Sequence, residues 1–506
     1  MDASAKANIN SISLNQALYT GPNKIADIVM CLLRFMLGKY ACISDIKQAF
    51  LRIWICLQDR DALRFLIPED ISDLDSKMIC YRYTSLVFGS VASPFLLAAV
   101  LEKHILDNCA NNMVRKALLN NTYVDNISFS NNYEINMCNF LAESTKIMES
   151  GSFQLRQWSS NSKKLMQKAI DLNVHNEDKV VKVLGIVWDT VLDRISFSTV
   201  LKWDDTYCKR SVLAASNSMF DPLGYITPVS MQNKLFLQKL WKFDLKWDTD
   251  FSNDTALTSE WRSLLLDCDT AVQNVSMPRE LKVNQDTEIH VFCDASATSY
   301  GACIYILNPS PNPDNQGDCK LVFAKGKIKP KNTVDNDNTI PKLELTAMLV
   351  GAKLVKLIQT SLSIEKHNVV FLWSDATVVL TWLSSHDIDS AYVHRRVVAI
   401  REACPGATLM HVSTHDNPAD IITRPIRVKK FIINDLWWHG PPWLTSPRHQ
   451  WPTQQVKYDL CPPLYNPQMI DVNVAIVEAF NTSFYYKDRS IQTLVQISMI
   501  NRYSEL

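Results

Sequence analysis

The sequence predicts an α/β protein of several domains, and three observations carry that prediction. Asn121 to Ser130 reads as strand, tight turn, strand. Glu288 to Ile306 gives a second and clearer strand-turn-strand. Before, between and after these runs lie helical-period stretches, with Ile28, Val29, Leu32, Leu33 and Met36 as the first example. A length of 506 residues allows about two to four such domains.

Taken in order, residues 1 to about 20 are polar and loop-like, and residues 25–37 form a helix expected to pack on a sheet. Ile43 to Ile53 contains an apolar strand with Asp45 at its end. Strands are expected after Gln58 and over residues 77–84, then a helix from Ser93-Pro94 to about Asn108, with proline in its favoured first turn. In the hairpin, Tyr123 and Val124 favour extended backbone and Asp125-Asn126 is turn chemistry, which lifts the Asp125 carboxylate to a sheet tip. Tyr133 to Met148 reads as a helix, and residues 200–280 turn helical. There Met231 to Trp247 sets Leu235, Leu237, Leu240 and Trp241 among Lys234, Lys239, Lys242 and Lys246. Such a face either tracks phosphates or is simply solvated.

Asp294 ends the first strand of the second hairpin and Gly301 opens the return. A Pro/Asn/Asp loop over residues 308–318 follows. Pro341 starts a helix with Glu344 in its first turn facing inward. Residues 369–375 form a strand ending in Asp375, a helix covers 376–383, Leu409 to Thr414 is a fourth strand, and Asn417-Pro-Ala-Asp420 begins another helix. Strand-end Asp and first-turn Glu are common caps singly. Four acids in this order are not, and like charges brought together need cations to offset their repulsion.

Apolar content of 47% and charged content of 21% mark a globular chain rather than a disordered one. Lys+Arg and Asp+Glu are equal at 52 each, so any attraction to phosphate is local. The 13 cysteines lack a Cys-x-x-Cys pair, which favours free thiols in a reducing compartment. His411 and His415 lack a cysteine pair beside them, which argues against zinc. Tyr83 to Leu101 is uncharged, but Gly89, Pro94 and three serines break it, so no membrane partner is expected. The N-terminal residues show no apolar targeting core.

Asp45-Ile-Lys-Gln-Ala-Phe-Leu-Arg-Ile paired with Tyr123-Val-Asp-Asn resembles the palm of retroelement reverse transcriptases, and later stretches narrow the resemblance to the Pao/BEL class of long-terminal-repeat retrotransposons. The resemblance implies an α+β palm with truncated fingers over residues 1–200, a helical thumb and connection over 201–285, an α/β ribonuclease H-like domain over 286–425, and a C-terminal linker segment over 426–506 with no integrase. It implies that Asp45 and Asp125 hold two Mg²⁺ ions, with Mn²⁺ as an alternative, about 4 Å apart for in-line phosphoryl transfer. Phe50 would lie beneath the sugar and select deoxynucleotides, and Ser93 and Pro94 would lie under the template and incoming dNTP.

The family has a second acid where this chain has Asn126, so the resemblance implies an impaired polymerase site. Val183-Leu-Gly-Ile-Val-Trp-Asp resembles the hairpin that grips the primer end; a plain core strand with a glycine bulge is the other reading. Asp294, Glu344, Asp375 and Asp420, with Asn417-Pro-Ala-Asp-Ile-Ile-Thr-Arg424, resemble the ribonuclease H quartet, which would bind two Mg²⁺ ions and cut the RNA strand of an RNA–DNA hybrid. His411 or His415 is the candidate for proton transfer. Expected partners are an RNA template, a DNA primer and the hybrid, in the cytoplasm, a virus-like particle or the nucleus. The alternative is a catalytically decayed or domesticated nucleic-acid-binding protein. Leu436-Trp-Trp-His-Gly-Pro-Pro-Trp-Leu444 is expected to pack on the nuclease domain rather than stack on bases.

Overall fold

The computed structural model describes residues 2–6, 8–73, 75–198, 203, 205–312, 315–330, 339–363, 369–452 and 457–459. They form two compact units, Met1–Cys31 with Lys39–Lys179, and Leu32–Gly38 with Val180–Tyr465. The content is mixed helix and sheet, an α/β protein.

In the first unit, α1 (Leu14–Ala17) is a single turn closed by a Ser13–Gln16 capping box. Helix α2 (Ile28–Met36), which the unit boundary divides after Cys31, follows Asp27, whose carboxylate accepts the Val29 and Met30 N–H groups. Next come β1 (Tyr40–Ile46), a short 3₁₀ turn over Ala49–Arg52, and the hairpin β2 (Arg64–Pro68) and β3 (Met78–Arg82). Helices α3 (Ser93–Asn108) and α4 (Asn112–Asn121) lead to β4 (Thr122–Tyr123) and β5 (Asn126–Asn131). Then α5 (Glu134–Ser150), β6 (Leu155–Ser160) and α6 (Lys163–Asp171) complete the unit. The antiparallel sheet runs β4-β5-β1-β6. Its core joins Phe129, Phe140 and Trp158, with the two phenylalanine rings stacked at 4.2 Å, to Leu96, Leu97, Leu141 and Leu165.

The hairpin turn differs from the sequence expectation by one residue. Val124 and Asp125 form the connection, and Asn126 already belongs to β5 opposite Asp45. Val124 has φ +58°, because a two-residue connection needs left-handed backbone to match strand twist. A β-branched residue there costs about 1–3 kcal/mol, which propensity alone would not forecast.

The second unit opens with β7 (Val180–Val183), β8 (Ile186–Asp189) and β9 (Arg194–Phe197). Leu184 and Gly185, at φ +49° and +91°, close a tight β7–β8 turn, so the segment is a hairpin and not a bulged core strand. Helices α7 (Lys209–Ser218), α8 (Thr227–Leu240) and α9 (Thr255–Asn274) follow, then β10 (Ser276–Pro278), in a small sheet ordered β10-β9-β8-β7. The helices share a core of Tyr207, Phe236, Phe251 and Trp261. Helix α8 starts earlier and ends earlier than expected, with Pro228 in its first turn. Lys234 is exposed with the Asp221 charge near it, and Lys239 pairs with Glu260 at 2.6 Å, so Lys239 does not present a free phosphate-tracking ammonium.

Half-buried Asp221 accepts the N–H groups of Gly224, Tyr225 and Ile226. Gly224 has φ +79°, and a Cβ there would lie 1.8 Å from the Ala324 carbonyl oxygen, so only glycine fits this close approach.

The remainder is a six-stranded sheet with helices. Strands β11 (Glu288–Ala295), β12 (Ser299–Asn308) and β13 (Asp318–Ile328) form an antiparallel meander. Helix α10 (Ile340–Leu362) then crosses to β14 (Val370–Ser374), followed by α11 (Thr377–Ser384), α12 (Ala391–Ala403) and β15 (Thr408–His411). Short helices α13 (Asp420–Thr423), α14 (Val428–Ile432) and α15 (Asp435–His439) precede β16 (Lys457–Asp459). The strand order is β13-β12-β11-β14-β15-β16, with β11, β14 and β15 mutually parallel. Helix α10 is long and apolar enough to cross a membrane, but it packs on β11, β12 and α12.

The tryptophan-rich tail belongs to this unit. Trp437 is fully buried and donates to the Tyr225 carbonyl, while Trp443 and Trp451 pack at 5.2 and 5.7 Å from Trp373 of β14. All twelve cysteines among the described residues are free thiols, Cys80 alone of them exposed.

Candidate active site

Three strand-end or helix-borne acids meet in the second unit. Asp294 is the penultimate residue of β11 and 1% exposed. Asp375 follows β14, the parallel neighbour of β11, so adjacent strand ends carry both carboxylates to one edge. Glu344 comes from α10, in its second turn rather than its first because the helix begins at Ile340. Its inward direction is as expected, since 3.6-residue periodicity places it on the face that covers the sheet. Oxygen atoms of Asp294, Glu344 and Asp375 all lie within 4.8 Å of one another.

This crowding has an electrostatic signature. Burial, then the Asp294 and Asp375 charges, push the Glu344 carboxyl up to about 9. Burial pushes Asp294 up to about 6, opposed by a hydrogen bond from the Thr423 hydroxyl and reinforced by Asp375. Glu344 Oε2 is buried with no hydrogen-bond partner. An orphaned carboxylate oxygen facing two other acids fits a hard divalent cation, which takes oxygen ligands and offsets the repulsion.

Neighbouring residues set the acids in place. Thr414 Oγ1 donates to Asp375 Oδ2 at 2.8 Å. Fully buried Asn417 donates from Nδ2 to the Cys293 carbonyl at 3.0 Å and accepts the Ala419 N–H, which ties the start of α13 to the end of β11. Asp420 opens α13 and is half-buried. It lies outside the set within 4.8 Å, and its Oδ1 accepts from the Arg424 guanidinium. His411 ends β15, half-buried, and His415 is exposed in a 3₁₀ turn over Thr414–Asp416.

A pH dependence follows. Glu344 retains a proton when folded that it releases when unfolded above the ordinary carboxylate range. Its folded value is raised, so the stability linked to that proton is present in acid and is lost as pH rises towards 9. In EDTA, the second unit should lose roughly 3 kcal/mol between weakly acidic and weakly alkaline solution. Glu344→Gln should flatten that dependence in denaturant titrations followed by tryptophan fluorescence, and an equally steep profile in the variant would contradict it.

In the first unit, Asp45 and Asp125 are neighbours. The Asp125 carbonyl accepts the Ile46 N–H at 2.8 Å, and burial, then the Asp45 charge, raise the Asp125 carboxyl. Asp45 Oδ2 is paired with Arg156 of β6 at 3.2 Å, and its Oδ1 is buried without a partner. Asn126 Nδ2 donates to Asp125 Oδ1 at 3.0 Å, so the amide stands beside the Asp125 carboxylate. Phe50 is buried in the 3₁₀ turn after β1, edge-on to Phe88 at 5.0 Å. Ser93 donates to the Val87 carbonyl at 2.8 Å and opens α3 with Pro94 in its first turn.

Residues 208–376 match the family described as Pao retrotransposon-like RNaseH-like domain, as the Pao/BEL resemblance expected. The matched stretch takes in α7 to α9 and β11 to β14, and with them Asp294, Glu344 and Asp375; it ends before Asp420. Among solved structures, the chain is similar to a foamy viral protease-reverse transcriptase in complex with double-stranded DNA, with TM-score 0.49 and 12% identity over 80% of this chain and 61% of that one. It is also similar to a foamy viral protease-reverse transcriptase in complex with RNA/DNA hybrid, with TM-score 0.47 and 14% identity over 77% of this chain and 46% of that one. The chain thus spans less than two thirds of either. No curated protein matches it.

Proposed function

We propose that this chain, whose residues 208–376 match a Pao retrotransposon-like, ribonuclease H-like domain, is a divalent-metal-dependent nuclease that cuts the RNA strand of an RNA–DNA hybrid. The observation that supports this most is the set Asp294, Glu344 and Asp375, with its orphaned Glu344 oxygen. These three would hold the cation, Mg²⁺ or Mn²⁺, and Asp420 is the candidate for a fourth ligand once released by Arg424. Bound as a pair, such ions supply an activated water and neutralise charge at the leaving 3′-oxygen. Thr423 and Thr414 orient Asp294 and Asp375, and Asn417 ties α13 to β11. Substrate choice would rest on 2′-hydroxyl contacts across the minor groove. The test is a Mg²⁺-dependent assay on a labelled hybrid and on the matched DNA duplex: cleavage of the hybrid RNA strand alone is expected, and cleavage of neither, or equally of both, would count against it.

For the first unit, the favoured reading is a reverse-transcriptase palm that holds nucleic acid with little or no polymerisation. Two carboxylates, one paired with Arg156, support it. Neither the wild type nor Asn126→Asp should extend a primer, because the substitution adds a charge but leaves the Arg156–Asp45 pair in place. Extension by the variant would show that Asn126 alone sets the defect.

A further inference from the structure

Arg424 stands four residues after Asp420, one helical turn on, and its guanidinium contacts Asp420 Oδ1. It also bears on the rest of the cluster, since its positive charge favours the ionised forms of both Asp294 and Glu344. Its side chain is 56% exposed, so it is held by charge rather than by packing. Asp420 is the one member of the sequence-identified quartet that stands outside the close-set acids, and it is the member that Arg424 holds.

We propose that Arg424 is a resident counter-ion of the metal centre, which competes with a divalent cation for the Asp420 carboxylate. This rests on the metal-binding reading of the acids and goes beyond it by making entry of the cation an exchange of one cation for another.

The consequence has a sign. A divalent cation must displace the guanidinium from Asp420, so wild-type affinity is reduced by the strength of that ion pair. A partly exposed pair is weak, so removing it changes affinity only modestly. Arg424 is therefore a positioning residue, and its role shows in metal binding without any substrate.

The experiment is Mn²⁺ titration of the full chain by electron paramagnetic resonance, with no nucleic acid present, for wild type, Arg424→Gln, Arg424→Lys and Asp294→Asn. Arg424→Gln is expected to bind the ion about fivefold tighter, Arg424→Lys close to wild type, and Asp294→Asn much more weakly. Unchanged or weaker binding by Arg424→Gln, with an unaltered melting temperature, would overturn the counter-ion role and leave the metal centre standing. Equal binding by Asp294→Asn and wild type would overturn the metal centre itself, and the counter-ion role with it.

Discussion

Asp294→Asn lowers Mg²⁺-dependent cleavage of the hybrid RNA strand by about a thousandfold or more, equivalent to about 4 kcal/mol of transition-state stabilisation. The reason is local. Asp294 is 1% exposed at the end of β11, within 4.8 Å of Glu344 and Asp375 oxygens. An amide keeps the size but presents one uncharged acceptor, and its NH₂ group would turn towards a cation. The Asn side chain can still bond Thr423, so the fold is kept and the loss falls on turnover. Single-turnover kinetics with saturating hybrid separate the two cases, because an unchanged hybrid affinity with slowed cleavage is the expected pattern. Cleavage within tenfold of wild type would remove Asp294 from the site.

Asp193→Asn destabilises the second unit by about 3 kcal/mol. Arg279 is fully buried, and its Nε and Nη2 donate to Asp193 at 2.7 and 2.8 Å. Its other donors reach the Phe35 and Gly38 carbonyls, both at 3.0 Å, and the Leu37 carbonyl at 3.5 Å, and Trp188 Nε1 also donates to Asp193. Asn tolerates the left-handed backbone at this position, φ +50°. The substitution therefore removes the counter-charge and one acceptor oxygen, and sets an amide NH₂ against the donors of fully buried Arg279 or Trp188. Thermal unfolding followed by tryptophan fluorescence reads the effect as a melting temperature lowered by several degrees; no change would mean that the carbonyls suffice.

The acids were legible because each obeys a local rule. Strand-end Asp294 and Asp375 and inward-facing Glu344 follow from period-2 and period-3.6 patterning, and parallel pairing of β11 with β14 then sets two strand ends side by side. What was not legible depends on contacts between residues far apart in sequence. Arg156 reaches Asp45 across 111 positions, Thr423 reaches Asp294 across 129, and Asn417 reaches Cys293 across 124. No spacing rule connects such pairs. Val124 shows the converse case, in which extended-backbone propensity yields to the twist of a two-residue turn. The lysines of α8 looked like one basic face, but Lys239 turns towards Glu260, which periodicity alone could not reveal.

The most direct test of the metal centre is a crystal of the chain grown with Mn²⁺ and measured near the manganese absorption edge. An anomalous peak is expected among the Asp294, Glu344 and Asp375 carboxylates, about 2.2 Å from an oxygen of each. A map with no peak there at millimolar Mn²⁺, and Glu344 Oε2 turned instead to a protein or water partner, would contradict it.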